Sequence, residues 1–318
     1  MHGPGDSRVE KRTVRVINTP SRAGSIALLP GETLLSGGSK TIHVWDLESG
    51  KEARTFKTEL ETFNSVCASA DGKQAASCDG QGRITLWDVE KGETLRAFAT
   101  TAAFPAPCAV ALSADGKLIA AAQERSVLVW NAATGDLLQR LPEQANEVKT
   151  LVFAPDGGSL LTAAGKSLQQ WNVATGKSIR AWDTHAKDAI CVAFSPDGTK
   201  AASGSSDGTV VVWNAATGAS LGVLTGHKTE VQAVVFTLDG RLASGSGGID
   251  PATVQGGSGF HFGANHDCCV RLWNLKEFEE ICCFEGHKSP IAALAVSKDG
   301  RRLISSADDI RIWPLPGH

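Results

Sequence analysis

No run of apolar residues in this chain approaches the roughly 18 needed to cross a bilayer, so no helical membrane span is expected. The opening, MHGPGDSRVEKR, lacks the apolar core of a secretory signal, and the expected location is cytoplasmic. Basic charge is in no excess. With 31 Lys and Arg against 34 Asp and Glu, the chain has none of the surplus that a general nucleic-acid or anionic-membrane binder needs. Tyrosine is absent and methionine occurs once, whereas glycine occurs 34 times; that balance points to many tight turns. The eight cysteines (Cys67, Cys78, Cys108, Cys191, Cys268, Cys269, Cys282, Cys283) include no C-x-x-C pair. They read as small packed thiols and not as a disulfide framework. No P-loop, nucleophile elbow or H-E-x-x-H is present, so no enzyme class, cofactor or metal is expected.

What the sequence does contain is a repeat. Trp followed by Asp or Asn recurs at Trp45, Trp87, Trp130, Trp171, Trp213 and Trp273, and Trp313-Pro314 is a terminal variant. Successive gaps are 42, 43, 41, 42, 60 and 40 residues, so one repeat holds about 18 extra residues. Each Trp ends a segment of alternating apolar residues, such as TIHVW, RITLW and TVVVW, the period-2 mark of a half-buried strand. Asp-Gly pairs precede most of these strands: Asp71-Gly72, Asp115-Gly116, Asp156-Gly157, Asp197-Gly198, Asp239-Gly240 and Asp299-Gly300. They are expected to form two-residue hairpins in which positive φ costs little. A second set of turns, ESGKE to AATGA, leads each repeat into a fourth strand. One such sheet has two apolar faces and cannot stand alone; stacking copies about an axis buries both.

Over about residues 11–316 the chain resembles the WD-repeat β-propeller family. The carriers of the resemblance are the W-D/N spacing, FSPDGTKAASGSSDGTVVVWN in the fifth repeat, and Gly226-His227 and Gly286-His287 opening the sixth and seventh. The resemblance implies an all-β, seven-bladed propeller closed by its N-terminal strand. The last repeat offers three strands, and TVRVIN (13–18) would complete it. Residues 1–10 are then a tail and 11–316 one propeller. The family's structural hydrogen-bond chain falls on His185, Ser203, Asp207 and Trp213 in the fifth repeat, and on His227, Ser244, Asp267 and Trp273 in the sixth. A His–Asp–Ser trio also invites a hydrolase reading, but the need of buried polar groups for partners explains it better. Six positions before the other tryptophans stand Ser39, Gln81, Glu124 and Gly165, and in the seventh repeat a shortened turn leaves Asp308 and Asp309 near. Those blades are expected to rely on apolar packing. Trp182 reads as inter-blade core.

Residues 246–266 are the segment the repeat does not explain, between the second and third strands of blade six. Phe260, His261 and Phe262 lie there among glycines, as candidate partner contacts against the bland reading of a tolerated insertion. Further candidates are Phe104, Pro105, Lys228, Thr229 and Lys288. If Val270 faces Cys282, Cys269 faces Cys283, and a cross-strand disulfide or a zinc site with His261 and His266 becomes conceivable. Neighbouring strand residues point to opposite faces, however, so all four thiols cannot meet at one ion, and free thiols are expected.

The function that follows is a non-catalytic scaffold presenting loops to protein or peptide partners, as one propeller within a complex. Two alternatives are a regulatory propeller detached from a larger polypeptide and a ligand-binding or enzymatic propeller using the central channel. The innermost strands (GSIALL, SVCASA, CAVALS, VKTLVF, AICVAF, VQAVVF, IAALAV) carry almost no titratable groups, which speaks against the latter.

Overall fold

The computed structural model describes residues 14–98, 108–183, 185–248 and 267–317. Among these residues all regular structure is strand, arranged as seven antiparallel blades. Blade one holds β2 (Ser25–Leu29), β3 (Thr33–Gly37), β4 (Ser39–Asp46) and the first part of β5 (Glu52–Ala68). The rest of β5 opens blade two, followed by β6 (Gln74–Asp79), β7 (Ile84–Asp88) and β8 (Glu93–Phe98). Blade three runs β9 (Cys108–Leu112), β10 (Leu118–Gln123), β11 (Ser126–Asn131) and β12 (Leu137–Arg140). Blade four runs β13 (Val148–Phe153), β14 (Ser159–Ala164), β15 (Ser167–Asn172) and β16 (Ser178–Asp183). Blade five has β17 (Ala189–Phe194), β18 (Lys200–Ser205), β19 (Val210–Asn214) and β20 (Ser220–Leu224). Blade six has β21 (Val231–Phe236), β22 (Leu242–Ser246), β23 (Val270–Asn274) and β24 (Glu279–Phe284). In blade seven β25 (Ala293–Val296), β26 (Arg302–Ser306) and β27 (Ile310–Pro314) are joined by β1 (Arg15–Ile17).

The inner strands touch in a closed cycle, β2–β5–β9–β13–β17–β21–β25 and back to β2. Among the described residues seven apolar clusters lie one at each blade interface. The cluster between the last blade and the first joins Ile17, Ile26, Leu34 and Trp45 to Ala295, Ile304, Ile310 and Ile312. β1 lies antiparallel to β27 with Val16 opposite Arg311, and Arg15 donates to the Leu47 carbonyl of blade one at 2.9 Å.

The Asp-Gly turns differ from the two-residue hairpins expected of them. Between β5 and β6 the loop runs through residues 69–73: the Gly72 N–H donates to the Ser69 carbonyl and the Ser69 N–H to the Gln74 carbonyl. Only the glycine takes positive φ, +71° at Gly72 and +70° at Gly198, whereas a type I′ turn needs two such residues. The aspartate serves as an acceptor. Asp71 takes the Ser69 hydroxyl at 2.7 Å and the Lys73 N–H at 3.0 Å, a side-chain cap on the turn. In blade five the equivalent bonds, from the Ser195 hydroxyl and then the Thr199 N–H, hold the Asp197 carboxyl down to about 2.

Close blade contact fixes two further glycines. A Cβ on Gly204 would stand 2.6 Å from Val231 Cγ1 and 2.7 Å from Cys191 Sγ, and one on Gly245 would stand 2.5 Å from Ile291 Cγ2. The Ser-Gly-Ser of these strands is therefore the seat of the next blade's inner strand. Gly204→Val is expected to cost about 1–3 kcal/mol through overpacking. Urea unfolding followed by tryptophan fluorescence measures it, and an unchanged midpoint contradicts the seating.

Candidate functional site

Blade five shows how the ladder assembles its buried polar chain. Ala201 pairs with Trp213 across β18 and β19, so Ser203, two residues on, lies on the same sheet face one pleat away. The indole N–H donates to Ser203 Oγ at 3.0 Å, and His185 Nε2 lies 2.8 Å from that oxygen. Every group is satisfied when the Ser203 hydroxyl donates to Nε2 and the histidine carries its proton on Nδ1, 3.0 Å from Thr209 Oγ1 and 3.6 Å from Asp207. Asp207 also accepts the Ala186 N–H, which pins the histidine loop to the turn between β18 and β19. In blade six Trp273 donates to Ser244 at 2.8 Å, His227 Nε2 lies 2.6 Å from Ser244, and Nδ1 lies 3.4 Å from Asp267.

Blade seven corrects the expectation of apolar packing alone. Trp313 donates to Ser305 at 2.7 Å, His287 Nε2 lies 2.6 Å from Ser305, and Nδ1 is 2.8 Å from Asp309. The carboxylate here stands four positions before the Trp, not six, which is how a shortened turn still supplies it. Parts of the chain survive elsewhere. Trp45 donates to Ser36, Trp87 to Ser77 and Trp171 to Thr162. In blade four the Thr162 hydroxyl donates to Gln144 Oε1 at 3.0 Å, so Gln144 takes the histidine's place. Its position, 18 residues before Thr162 as His185 is before Ser203, was the available signal. Blade three has Ala121 at the hydroxyl position, inside an apolar cluster with Trp130.

Burial holds His287 down to about 4 against the pull of Asp309, with Arg311 adding to the lowering and Asp308 opposing it. Burial also lowers His185 against the pull of Asp207. Histidines kept neutral in the fold contribute stability that is whole above their ordinary value of 6.5 and is lost as pH falls toward the folded value. The melting temperature is expected to drop between pH 6.5 and about 4, with His287 worth on the order of 3 kcal/mol. His287→Gln should flatten that slope in a scan of melting temperature against pH. An unchanged slope contradicts a neutral, buried His287.

The loops that carry these histidines share one face with the turns between second and third strands. Backbone bonds tie the two sets: Ala189 N–H to Gly165, Ser206 N–H to Asp188, Gly247 N–H to Glu230, Ile291 N–H to Ser246 and Ala292 N–H to Ser306. Lys228 and Lys288 are exposed on this face. Thr229 is a correction: it is buried at 6 % exposure, because it packs beneath the turn at Gly208, where a Cβ would come within 3.3 Å of the Thr229 carbonyl. Phe104, Pro105, Phe260, His261 and Phe262 lie outside the described residues, as does most of 246–266. Trp182 is half-buried against the blade four–five cluster, 6.2 Å from the Trp213 ring.

The cysteines depart from expectation in two ways. Cys78 is disulfide-bonded, where every thiol was expected free. Cys67, Cys191, Cys268, Cys269 and Cys283 are free. The register between β23 and β24 sets Arg271 opposite Cys283 and Leu272 opposite Cys282, not Val270 opposite Cys282. The pairing slips at Leu272/Trp273, an irregularity that counting residues cannot reveal. Even so, the Cys269 thiol reaches Cys283 on the diagonal, and that contact is the chief reason its pKa is pushed up.

The family model described as "WD domain, G-beta repeat" matches residues 50–88, 176–214, 218–274 and 278–313, more than half of the chain. Each matched stretch joins the outer strand of one blade to three strands of the next, the overlap that interlocks neighbours in the ring. The chain is also similar to an uncharacterized WD repeat-containing protein of Schizosaccharomyces pombe, 30% identical over 46 residues. That stretch covers 14% of this chain and 12% of the yeast protein.

Proposed function

The chain belongs to the WD-repeat family, whose propellers commonly serve as protein-interaction scaffolds, and from that premise we propose that it is a non-catalytic platform binding protein or peptide partners on its histidine-loop face. The observation that carries this reading is the mutual backbone bonding of the loops on that face. It yields a preorganised surface, so binding there costs little ordering entropy. Exposed Lys228 and Lys288 flank the base of the 246–266 insertion, and cationic contacts at a rim favour acidic partner segments. The buried trio Ser203, His185 and Asp207 supports the non-catalytic reading. Ser203 and the His185 side chain have no exposure at all, and the serine oxygen already accepts the Trp213 N–H.

Affinity capture with the intact chain, beside a chain lacking residues 247–265 and a Lys228→Glu/Lys288→Glu variant, tests the proposal. The intact chain should recover defined partners and both variants should lose them at least about tenfold, since 1.4 kcal/mol suffices for that. Equal recovery by all three forms contradicts this face as the binding surface.

A further inference from the structure

The outer strands carry side chains that staple each blade to the next, and one seam leaves its staple open. The residue paired with the position before the Trp is Arg15 on β1, Arg54 on β5, Arg96 on β8, Gln139 on β12 and Arg180 on β16. The first four reach the following blade, donating to the carbonyls of Leu47, Val89, Ala133 and Ala174 at 2.8 to 2.9 Å. Arg180 makes no such bond among the described residues, and its buried Nε has no partner. It lies beside the Gly218 turn of blade five, where a Cβ would stand 3.2 Å from Arg180 Cδ. On β20 the staple position is Gly222. Phe278, from the corresponding turn of blade six, fills the notch: a Cβ on Gly222 would come within 2.3 Å of its ring.

That exchange leaves β20, SLGVL, as the one outer strand without a charged residue, and none occurs between Gly208 and His227. Charged side chains are a usual guard of a sheet edge, and β20 is the edge of its sheet. The bulge beside the Trp recurs in blades one to six, so it does not set β20 apart. Leu221 and Val223 on this strand are 41 % and 50 % exposed. Val223 pairs with Val211, which packs toward blade four with Trp182, and residues paired across a ladder share a face. Arg180, two residues before Trp182 on β16, faces the same seam. An open backbone edge, an exposed valine and an unpaired guanidinium therefore line one seam at the rim.

We propose that the rim of blade five is a strand-addition site for an extended, acidic and apolar segment of a partner protein. The segment's backbone pairs with the free edge of β20 as a fifth strand, the recognition mode by which sheet edges take up peptides. One of its apolar side chains covers Val223, and a carboxylate pairs with Arg180 in a charge-assisted bond. Arg180 sets the sign of the partner: a basic segment would meet like charge at the seam. The site lies on the circumference of the ring, apart from the histidine-loop face, so the inference does not rest on the function proposed for that face.

The test uses the full chain and synthetic peptides of about seven residues, the length of a strand, with Val and Thr alternating and one Asp or one Lys placed at each position in turn. The best Asp peptide should bind at least about tenfold more tightly than its Lys counterpart, slow hydrogen exchange across residues 220–224, and lose binding when a central Pro interrupts it. Val223→Lys should weaken that binding at least about tenfold, and Arg180→Glu should turn the preference toward the Lys peptides. A Lys228→Glu/Lys288→Glu chain should bind as the parent does. Near-ultraviolet circular dichroism checks that each variant keeps its tryptophan packing, and the Asp, Lys and Pro arms decide the matter on the parent chain alone. The proposal is overturned if no Asp peptide binds, if Asp and Lys peptides bind alike, or if Pro leaves binding intact. Loss of binding in the Lys228/Lys288 variant would assign the peptide to the histidine-loop face and overturn it as well. A dimer of the parent chain that Val223→Lys abolishes would give the edge to a second copy, with the same result.

Discussion

A chain lacking residues 11–19 is expected to lose most of its stability and to aggregate at temperatures where the intact chain is soluble. The strand removed is short, but its contacts are not local. Ile17, 2 % exposed, belongs to the cluster joining the last blade to the first, and truncation of a buried isoleucine alone costs about 2–5 kcal/mol. Arg15 reaches across to Leu47 of blade one, and loss of β1 leaves β27 as an unpaired edge, a template for pairing between chains. Against the roughly 5–15 kcal/mol that holds a domain together, the sum is large. Ile17→Ala separates the two contributions: it should lower the melting temperature while the chain stays soluble, because the ladder to β27 survives. If the deleted chain melts where the intact one does, the ring does not depend on its amino-terminal strand.

The second large effect is expected at Trp213. The indole is 5 % exposed and packs among Leu161, Leu168, Val192 and Val211 at the blade four–five interface, so Trp213→Ala should cost about 3–5 kcal/mol. Trp213→Phe keeps much of the area but removes the donor to Ser203, and should cost nearer 1 kcal/mol. Trp182 supplies the contrast. Its ring neighbours that of Trp213, yet its buried N–H has no partner, so Trp182→Phe removes an unsatisfied group and should be neutral or slightly stabilising. Chemical denaturation of the three variants against the parent measures the ordering. If Trp213→Phe is as harmless as Trp182→Phe, the hydrogen-bond chain adds nothing to blade five.

The architecture was legible because it is repetitive. A Trp every 40 to 43 residues in five of six intervals, each closing an alternating strand, leaves little room for another fold. The hydrogen-bond chains of blades five and six were legible for the same reason, since their residues keep a fixed offset from Trp213 and Trp273. Where the offset changed, counting failed. Asp309 does the work of Asp207 from two positions closer to its Trp, and Gln144 does the work of a histidine with a different functional group. The Asp-Gly turns show another limit: Gly72 was chosen for its φ, but Asp71 for its carboxylate, and a dipeptide does not distinguish these roles. Thr229 and the Cys269–Cys283 contact depend on a loop's burial and a slipped register, which are tertiary facts. Residues 246–266, without periodicity, announced only that the repeat was interrupted.

The claim beneath the rest is that seven blades close into a ring through the start of the chain, and a cross-link between the two ends tests it most directly. Val16 and Arg311 are direct partners across β1 and β27, a spacing of about 4.5–5.5 Å between Cα atoms that a disulfide can span. A Val16→Cys/Arg311→Cys chain, mildly oxidised at low concentration and mapped by mass spectrometry, should yield a peptide joining positions 16 and 311 within a single chain. Absence of that peptide, or its appearance only between chains, would contradict the closed ring.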